Sequence, residues 1–97
     1  MKFGAMNFPV TPLLDEIDTF SLLGFDYLEL TMDPPMAHYT VLAKIKGDIL
    51  TALRANNLGL ICHLPTFVST ADLTESIRDA SIMEMQKSLA MASELGA

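Results

Sequence analysis

The sequence predicts an α/β fold in which three parallel strands alternate with three helices. Three short segments with strand character are each followed by a longer segment whose apolar residues recur at helical spacing. Strands that are separated by helices pair in parallel through right-handed crossovers. Ligands bind such sheets at the carboxyl ends of the strands, so polar side chains at those ends are the first candidates for a functional site.

The first unit consists of a predicted strand over residues 2–8 and a helix that begins after Thr11. Thr11 is a potential N-cap, and Pro12 suits the first helical position because proline lacks the backbone N–H that would stay unpaired there. Gly24 is predicted to end the helix in the left-handed conformation. Asn7 follows the end of the strand and is a weaker candidate for a substrate contact.

The second unit begins with a strand over residues 27–31 whose side chains alternate in character. One face carries Tyr27, Glu29 and Thr31, and the other carries Leu28, Leu30 and Met32. The leucine face should meet the helices, so Glu29 should lie on the opposite side of the sheet. There it is either a structural carboxylate, half-exposed or ion-paired, or a functional residue. A helix over residues 41–56 follows, with a potential break near Gly47. His38 lies in a proline-rich loop and is predicted to be solvated.

The third unit has a short apolar strand, residues 59–63, that ends at His63. By alternation His63 shares a face with Glu29, so the two could converge at one edge of the sheet. His63 is either a hydrogen-bonded strand-end residue or a ligand of substrate or metal. Cys62 is predicted to be a small core residue. The last helix should start near Asp72 and bury an apolar stripe made of Ile82, Met85, Leu89 and Ala92.

Composition excludes several classes of function. The chain has 97 residues and a net charge of −6, and its six basic side chains are scattered, which argues against nucleic-acid binding. No apolar run is long enough to span a bilayer, and no signal-like segment begins the chain. A single cysteine fits a reducing compartment, so we expect a cytoplasmic protein.

Three parallel strands cannot close on themselves. A closed barrel of parallel strands needs eight strands and about 250 residues. The third strand would keep an unpaired edge, and a further strand is expected after Ala97. The pattern therefore predicts a fragment of a larger chain, or a chain that completes itself by association through the exposed sheet edge.

Several segments resemble one known family. The segment 24–30, GFDYLEL, is similar to its second strand, and residues 2–7 fit its first strand loosely. The third βα unit is matched by His63-Leu64-Pro65, a polar loop, and the segments 78–80, 84–86 and 94–97. In order and spacing the whole chain resembles the N-terminal part of the xylose isomerase-like TIM-barrel superfamily. That group includes sugar and sugar-phosphate isomerases and epimerases and the endonuclease IV family.

The resemblance implies that residues 1–97 form the first three βα units of a (β/α)8 TIM barrel, a partial domain that stops before a fourth strand. It implies a metal-dependent sugar or sugar-phosphate isomerase or epimerase of carbohydrate metabolism. The Mn²⁺, Mg²⁺ or Zn²⁺ ion would be held mainly by later strands, so the 97-residue chain should be inactive alone. His63, Glu29 and Asn7 are then the substrate-facing candidates.

Two alternatives remain open. In the endonuclease IV branch, which cleaves abasic DNA, His63 would be a zinc ligand. The loop at residues 32–37 has no arginine or lysine, and this favours the sugar branch. The other alternative is a small non-enzymatic α/β module that associates with itself through the open edge.

Overall fold

A three-stranded parallel sheet forms the centre of the molecule, which confirms the predicted α/β class. The computed structural model describes residues 1–97. The strands lie in the order β1-β2-β3, and both neighbouring pairs are parallel. In chain order the elements are β1 (Gly4–Met6), α1 (Leu13–Leu22), β2 (Tyr27–Thr31), α2 (Tyr39–Ala55), β3 (Gly59–His63) and α3 (Glu75–Glu94). The bounds predicted for β2 and β3 are confirmed.

The helix ends differ in detail from the prediction. Pro12 is the N-cap of α1, and no side chain caps this helix. Thr74 is the N-cap of α3, and the Asp72 carboxylate accepts the N–H of Thr74 at 2.8 Å. Asp72 therefore closes a turn before α3 and does not form the predicted capping box. Gly24 has a φ of +82°, as predicted for the end of α1. The break in α2 lies at Ile45, where φ and ψ leave the helical region.

All three helices pack on one face of the sheet. A cluster of 14 buried apolar residues joins β2 to side chains of α1, α2 and α3. Leu28 and Leu30 of β2 are fully buried at its centre, and Ile17 of α1 and Ile49 of α2 are fully buried beside them. The predicted alternation of β2 is confirmed, because the leucine face meets the helices. None of the helices combines the length and apolar character that a membrane span requires.

The stripe predicted to anchor α3 is confirmed at Ala92, which is buried, and wrong at Ile82 and Leu89, while Met85 is half-buried. Ile82 is 39% exposed and Leu89 is 53% exposed, so neither belongs to the core. The buried residues on this part of the chain are small or apolar: Ser81, Ser88, Met91, Ala92 and, just after the helix, Leu95. Since each residue of a helix adds about 100°, the centre of this buried side is rotated by roughly a quarter turn from the centre of the predicted stripe. Ile82 and Leu89 therefore lie outside the core of this chain.

The second face of the sheet is uncovered. Register places Gly4, Tyr27 and Gly59 in one row, and Met6, Glu29 and Ile61 in the next. The side chains of Met6 and Ile61 are 46% and 51% exposed on this face. The Tyr27 ring lies over Gly4, where a Cβ would overlap the ring carbons. A glycine is therefore required at position 4 if the ring is to keep this place.

We expect Gly4→Ala to lower the free energy of unfolding by about 1–3 kcal/mol, because the new methyl group must displace the Tyr27 ring or the strand. Gly47→Ala is the matched control. It lies in α2 with open space around its Cβ position, and alanine favours helix by roughly 0.5–1 kcal/mol over glycine. Urea unfolding of both variants checks this. Equal stability of Gly4→Ala and the parent chain would contradict the described position of Tyr27.

Candidate functional site

Glu29 and His63 lie on the uncovered face of neighbouring strands, with Glu29 at the middle of β2 and His63 at the carboxyl end of β3. Glu29 pairs with Ile61 and Thr31 pairs with His63, so the two candidates are two positions apart along the strands. Strand spacing and rise place their Cα atoms about 8 Å apart. Glu29 is half-buried and His63 is exposed, and neither belongs to one of the two ion pairs of the chain. The structure thus brings together the two residues that sequence reasoning joined, and leaves both accessible to a ligand.

Asn7 lies apart from this pair. It follows Met6, which is in register with Glu29, so alternation turns Asn7 toward the helix side of the sheet. Its side chain is 3% exposed, and its Oδ1 accepts the backbone N–H of Thr31 at 2.8 Å. The Asn7 amide therefore ties the end of β1 to the end of β2. Its Nδ2 is buried without a partner. A substrate contact at Asn7 stays a prediction.

Asp33 organises the carboxyl edge, and sequence reasoning missed it. The side chain is 4% exposed. Its Oδ1 accepts the backbone N–H of Thr66 at 2.9 Å. Its Oδ2 accepts the hydroxyls of Thr31 at 2.8 Å and of Thr66 at 3.1 Å. One carboxylate therefore links the end of β2 to the loop after β3. The sequence feature that could have identified Asp33 is an aspartate two residues beyond a predicted strand and immediately before a proline.

His38 is not solvated as predicted, because it connects α2 to α3. Its Nε2 lies 2.7 Å from Oε2 of Glu84 on α3. Its Nδ1 accepts the backbone N–H of Thr40 and lies 2.8 Å from the Thr40 hydroxyl, which makes His38 the N-cap of α2. With Nδ1 as the acceptor, Nε2 is the ring nitrogen that donates to the Glu84 carboxylate. Both ring nitrogens thus have partners within the protein.

Two cavities open at opposite edges of the molecule. The carboxyl edge has a cavity of about 200 Å³, lined by Asp33, Pro34, His38, Pro65, Phe67, Val68 and Glu84. A larger cavity of about 380 Å³ lies at the amino edge, between the ends of α2 and α3. Arg54 is the one titratable side chain in its lining. The smaller cavity has the richer chemistry, and it lies at the edge where α/β sheets bind ligands.

The candidate metal ligands of the chain lie apart from one another. No group of three or more histidine, cysteine, aspartate or glutamate side chains is placed to hold a metal ion. A protein metal site of the zinc type needs three or four ligands, and His63 supplies one. The donor set present here therefore does not fit the divalent ion that the sequence resemblance implies. A metal-binding role for His63 stays a prediction that depends on ligands from other residues.

We expect Asp33→Asn to lower the free energy of unfolding by about 1–2 kcal/mol, because a buried carboxylate with three donors is replaced by a neutral amide. Asp18→Asn is the matched control on the exposed side of α1, and surface changes of this kind stay within about 0.5 kcal/mol. Urea unfolding distinguishes the two. A loss at Asp33 no larger than at Asp18 would contradict the bridging role.

Burial raises the pKa of the Cys62 thiol from 9.0 to about 11. Well below pH 9 the thiol is protonated in both the folded and unfolded chain. Between pH 9 and 11 the unfolded chain releases a proton that the folded chain retains, so stability falls as the pH rises through this window. Cys62→Ser should remove this slope. Urea unfolding of both proteins between pH 8 and 11 checks the difference, and parallel curves would contradict it.

Comparison with known proteins gives no relative. No family model, no curated protein and no solved structure matches this chain. The resemblance to the xylose isomerase-like superfamily therefore stays a prediction from sequence. Any function has to be argued from the geometry described above.

Proposed function

We propose that this chain forms the first three βα units of a TIM-barrel isomerase or epimerase that acts on a sugar or sugar phosphate. The order of the strands and the placement of the helices support this proposal. Three parallel strands follow one another in chain order, with every helix on the same face, as in the wall of a (β/α)8 barrel. The uncovered face would then be the inner face of the barrel, and the carboxyl edge would be its catalytic mouth.

The observation that carries the proposal is the pair Glu29 and His63 on the uncovered face. Sheets with helices on both faces bury both sides of their strands, which are then nearly continuous apolar runs. In contrast, β2 places the half-buried side chains of Tyr27 and Glu29 on the uncovered side. The Glu29 carboxylate at the middle of β2 and the His63 imidazole at the carboxyl end of β3 suit a polar ligand bound inside a barrel better than a second layer of helices.

The two side chains offer complementary hydrogen-bonding groups to a polyhydroxylated substrate. The Glu29 carboxylate accepts hydrogen bonds from two hydroxyl groups, and the His63 imidazole can donate one bond and accept another. In this proposal both residues bind and orient the substrate, and neither is the base that moves the proton next to the carbonyl. Asp33, in the loop after β2, bonds the end of that strand and the loop after β3, and so fixes this edge of the sheet.

A divalent metal in such enzymes polarises the substrate oxygens. The residues of this chain do not form a ligand set for it, so we assign no step to the metal. The residues that complete the barrel would supply most of its ligands and the base. The 97-residue chain alone is therefore proposed to be inactive.

The endonuclease alternative has less support. Binding to abasic DNA requires positive charge at the mouth, because phosphate contacts supply much of the affinity. The loop after β2 exposes Pro34 and Pro35 and carries no basic residue, and the chain has a net charge of −6. No contact in the structure favours the nuclease, and it is kept as an outcome of the experiment below.

The proposal is tested by an isomerase and epimerase assay with Mn²⁺ or Mg²⁺ on a polypeptide in which further strands complete the barrel. We expect His63→Ala to lower kcat/KM by about 10- to 100-fold, the effect of losing one or two substrate hydrogen bonds. Asp48→Asn, on an exposed side of α2, should leave kcat/KM unchanged.

Metal content separates the two enzymatic proposals. One Mn²⁺ or Mg²⁺ per barrel together with isomerase activity supports the sugar enzyme. Two or three zinc ions together with cleavage of abasic DNA would establish the nuclease in its place. Unchanged activity and metal content in His63→Ala would remove His63 from the site on either proposal.

A further inference from the structure

We propose that Thr40, His38 and Glu84 form a nucleophilic triad that hydrolyses small uncharged esters. His38 and Thr40 lie at the start of α2, and Glu84 lies on α3. The three side chains meet beside the cavity at the carboxyl edge, and all their mutual contacts lie between residues 38 and 84. The triad shares no residue with the proposed isomerase site, and its activity does not depend on that proposal.

One chain of hydrogen bonds connects the three side chains. Oγ1 of Thr40 lies 2.8 Å from Nδ1 of His38, and Nε2 of the same ring lies 2.7 Å from Oε2 of Glu84. A hydroxyl is activated as a nucleophile when it lies about 2.6–3.2 Å from a base that a third group orients. Both distances fall in this range, so Thr40 is placed as the nucleophile, His38 as the base and Glu84 as the orienting group.

The Glu84 carboxylate selects the form of the ring that base catalysis requires. A carboxylate only accepts hydrogen bonds, so Nε2 donates to it and Nδ1 keeps a lone pair for the Thr40 hydroxyl. The backbone N–H of Thr40 also approaches Nδ1, but at 3.4 Å it is the more distant donor. The same carboxylate stabilises the imidazolium that forms when Nδ1 takes the proton of Thr40.

The position of α2 keeps the nucleophile accessible. The Thr40 side chain is exposed. Helix α2 lies between α1 and α3 and contacts both. A strand or helix that adds beyond β3 would pack on the far side of α3, so it would not meet the first turn of α2.

The cavity beside the triad determines the class of ester. His38 and Glu84 line the cavity of about 200 Å³, together with apolar side chains that include Phe67 and Val68. This volume suits a small apolar acyl or alcohol group. Asp33 is the third titratable residue of the lining, and no lysine or arginine is present there. Two carboxylates without a cation disfavour an anionic substrate, which leaves small uncharged esters.

Hydrolysis would proceed in two balanced steps. Oγ1 of Thr40 forms a bond to the carbonyl carbon while its proton moves to Nδ1 of His38, and the alcohol then leaves with that proton as the ester C–O bond breaks. Water next gives a proton to Nδ1 and attacks the acyl carbon. The carboxylic acid departs as Oγ1 recovers the proton. The first turn of α2 has unpaired N–H groups, whose positive partial charge favours the negative oxygen of each intermediate.

Acylation of the 97-residue chain by p-nitrophenyl acetate tests the triad. We expect a burst of one p-nitrophenolate per chain and one acetyl group on Thr40, located by mass spectrometry of peptides. Thr40→Ala should lower the acylation rate at least about 100-fold, and Thr40→Ser should retain it. Thr51→Ala is the matched control, because Thr51 is an exposed threonine farther along α2, and it should leave the rate unchanged.

Two further variants separate catalysis from helix capping. His38→Asn removes the base but keeps a favoured N-cap, and it should also lose the acetyl group on Thr40. Glu84→Gln should lower kcat by about 10- to 100-fold with KM unchanged, because Glu84 acts through His38. Unchanged far-UV circular dichroism shows that each variant is folded.

Three results would each overturn the inference. The first is acetylation confined to lysine side chains or the amino terminus. The second is an acylation rate in Thr40→Ala or His38→Asn equal to that of the parent chain. The third is an unchanged kcat in Glu84→Gln.

Discussion

Burial of Leu28 and Leu30 against the three helices is the interaction on which the rest of the structure depends. Both side chains are fully buried at the centre of the apolar cluster. Side chains of a strand alternate between its faces, so burying this pair commits Tyr27 and Glu29 to the opposite side. Register with β3 then places His63 on that same side. The position of the candidate site is thus a geometric consequence of where the core lies.

Sequence reasoning succeeded where structure is decided locally. The bounds of β2 were predicted from its alternating side chains, and those of β3 from its short apolar run. The shared face of Glu29 and His63 follows from counting residues once the strands are parallel. Gly24 was recognisable as a helix end because its left-handed backbone is costly for other residues.

The parts that sequence reasoning missed depend on contacts between distant segments. Asp33 bonds Thr66, and His38 bonds Glu84, which is 46 residues away along the chain. Neither partner can be inferred from spacing, because the loops that bring them together have no periodic pattern. A polar residue in a proline-rich loop is typical of a solvated one, and only the packing of α3 on α2 gave His38 a partner.

The error at α3 is the most instructive. Periodicity identified Ile82 and Leu89 as a stripe that should be buried, and the structure leaves both exposed. The buried side of α3 includes Ser81 and Ser88, and the Ser81 hydroxyl accepts the backbone N–H of Ser69 in the loop after β3. An amphipathic pattern identifies an apolar face of a helix, but it does not identify the surface against which that face packs. Here the buried side of α3 includes Ser81, Ser88 and Met91, so the spacing of Ile82 and Leu89 did not identify the side that packs within the chain.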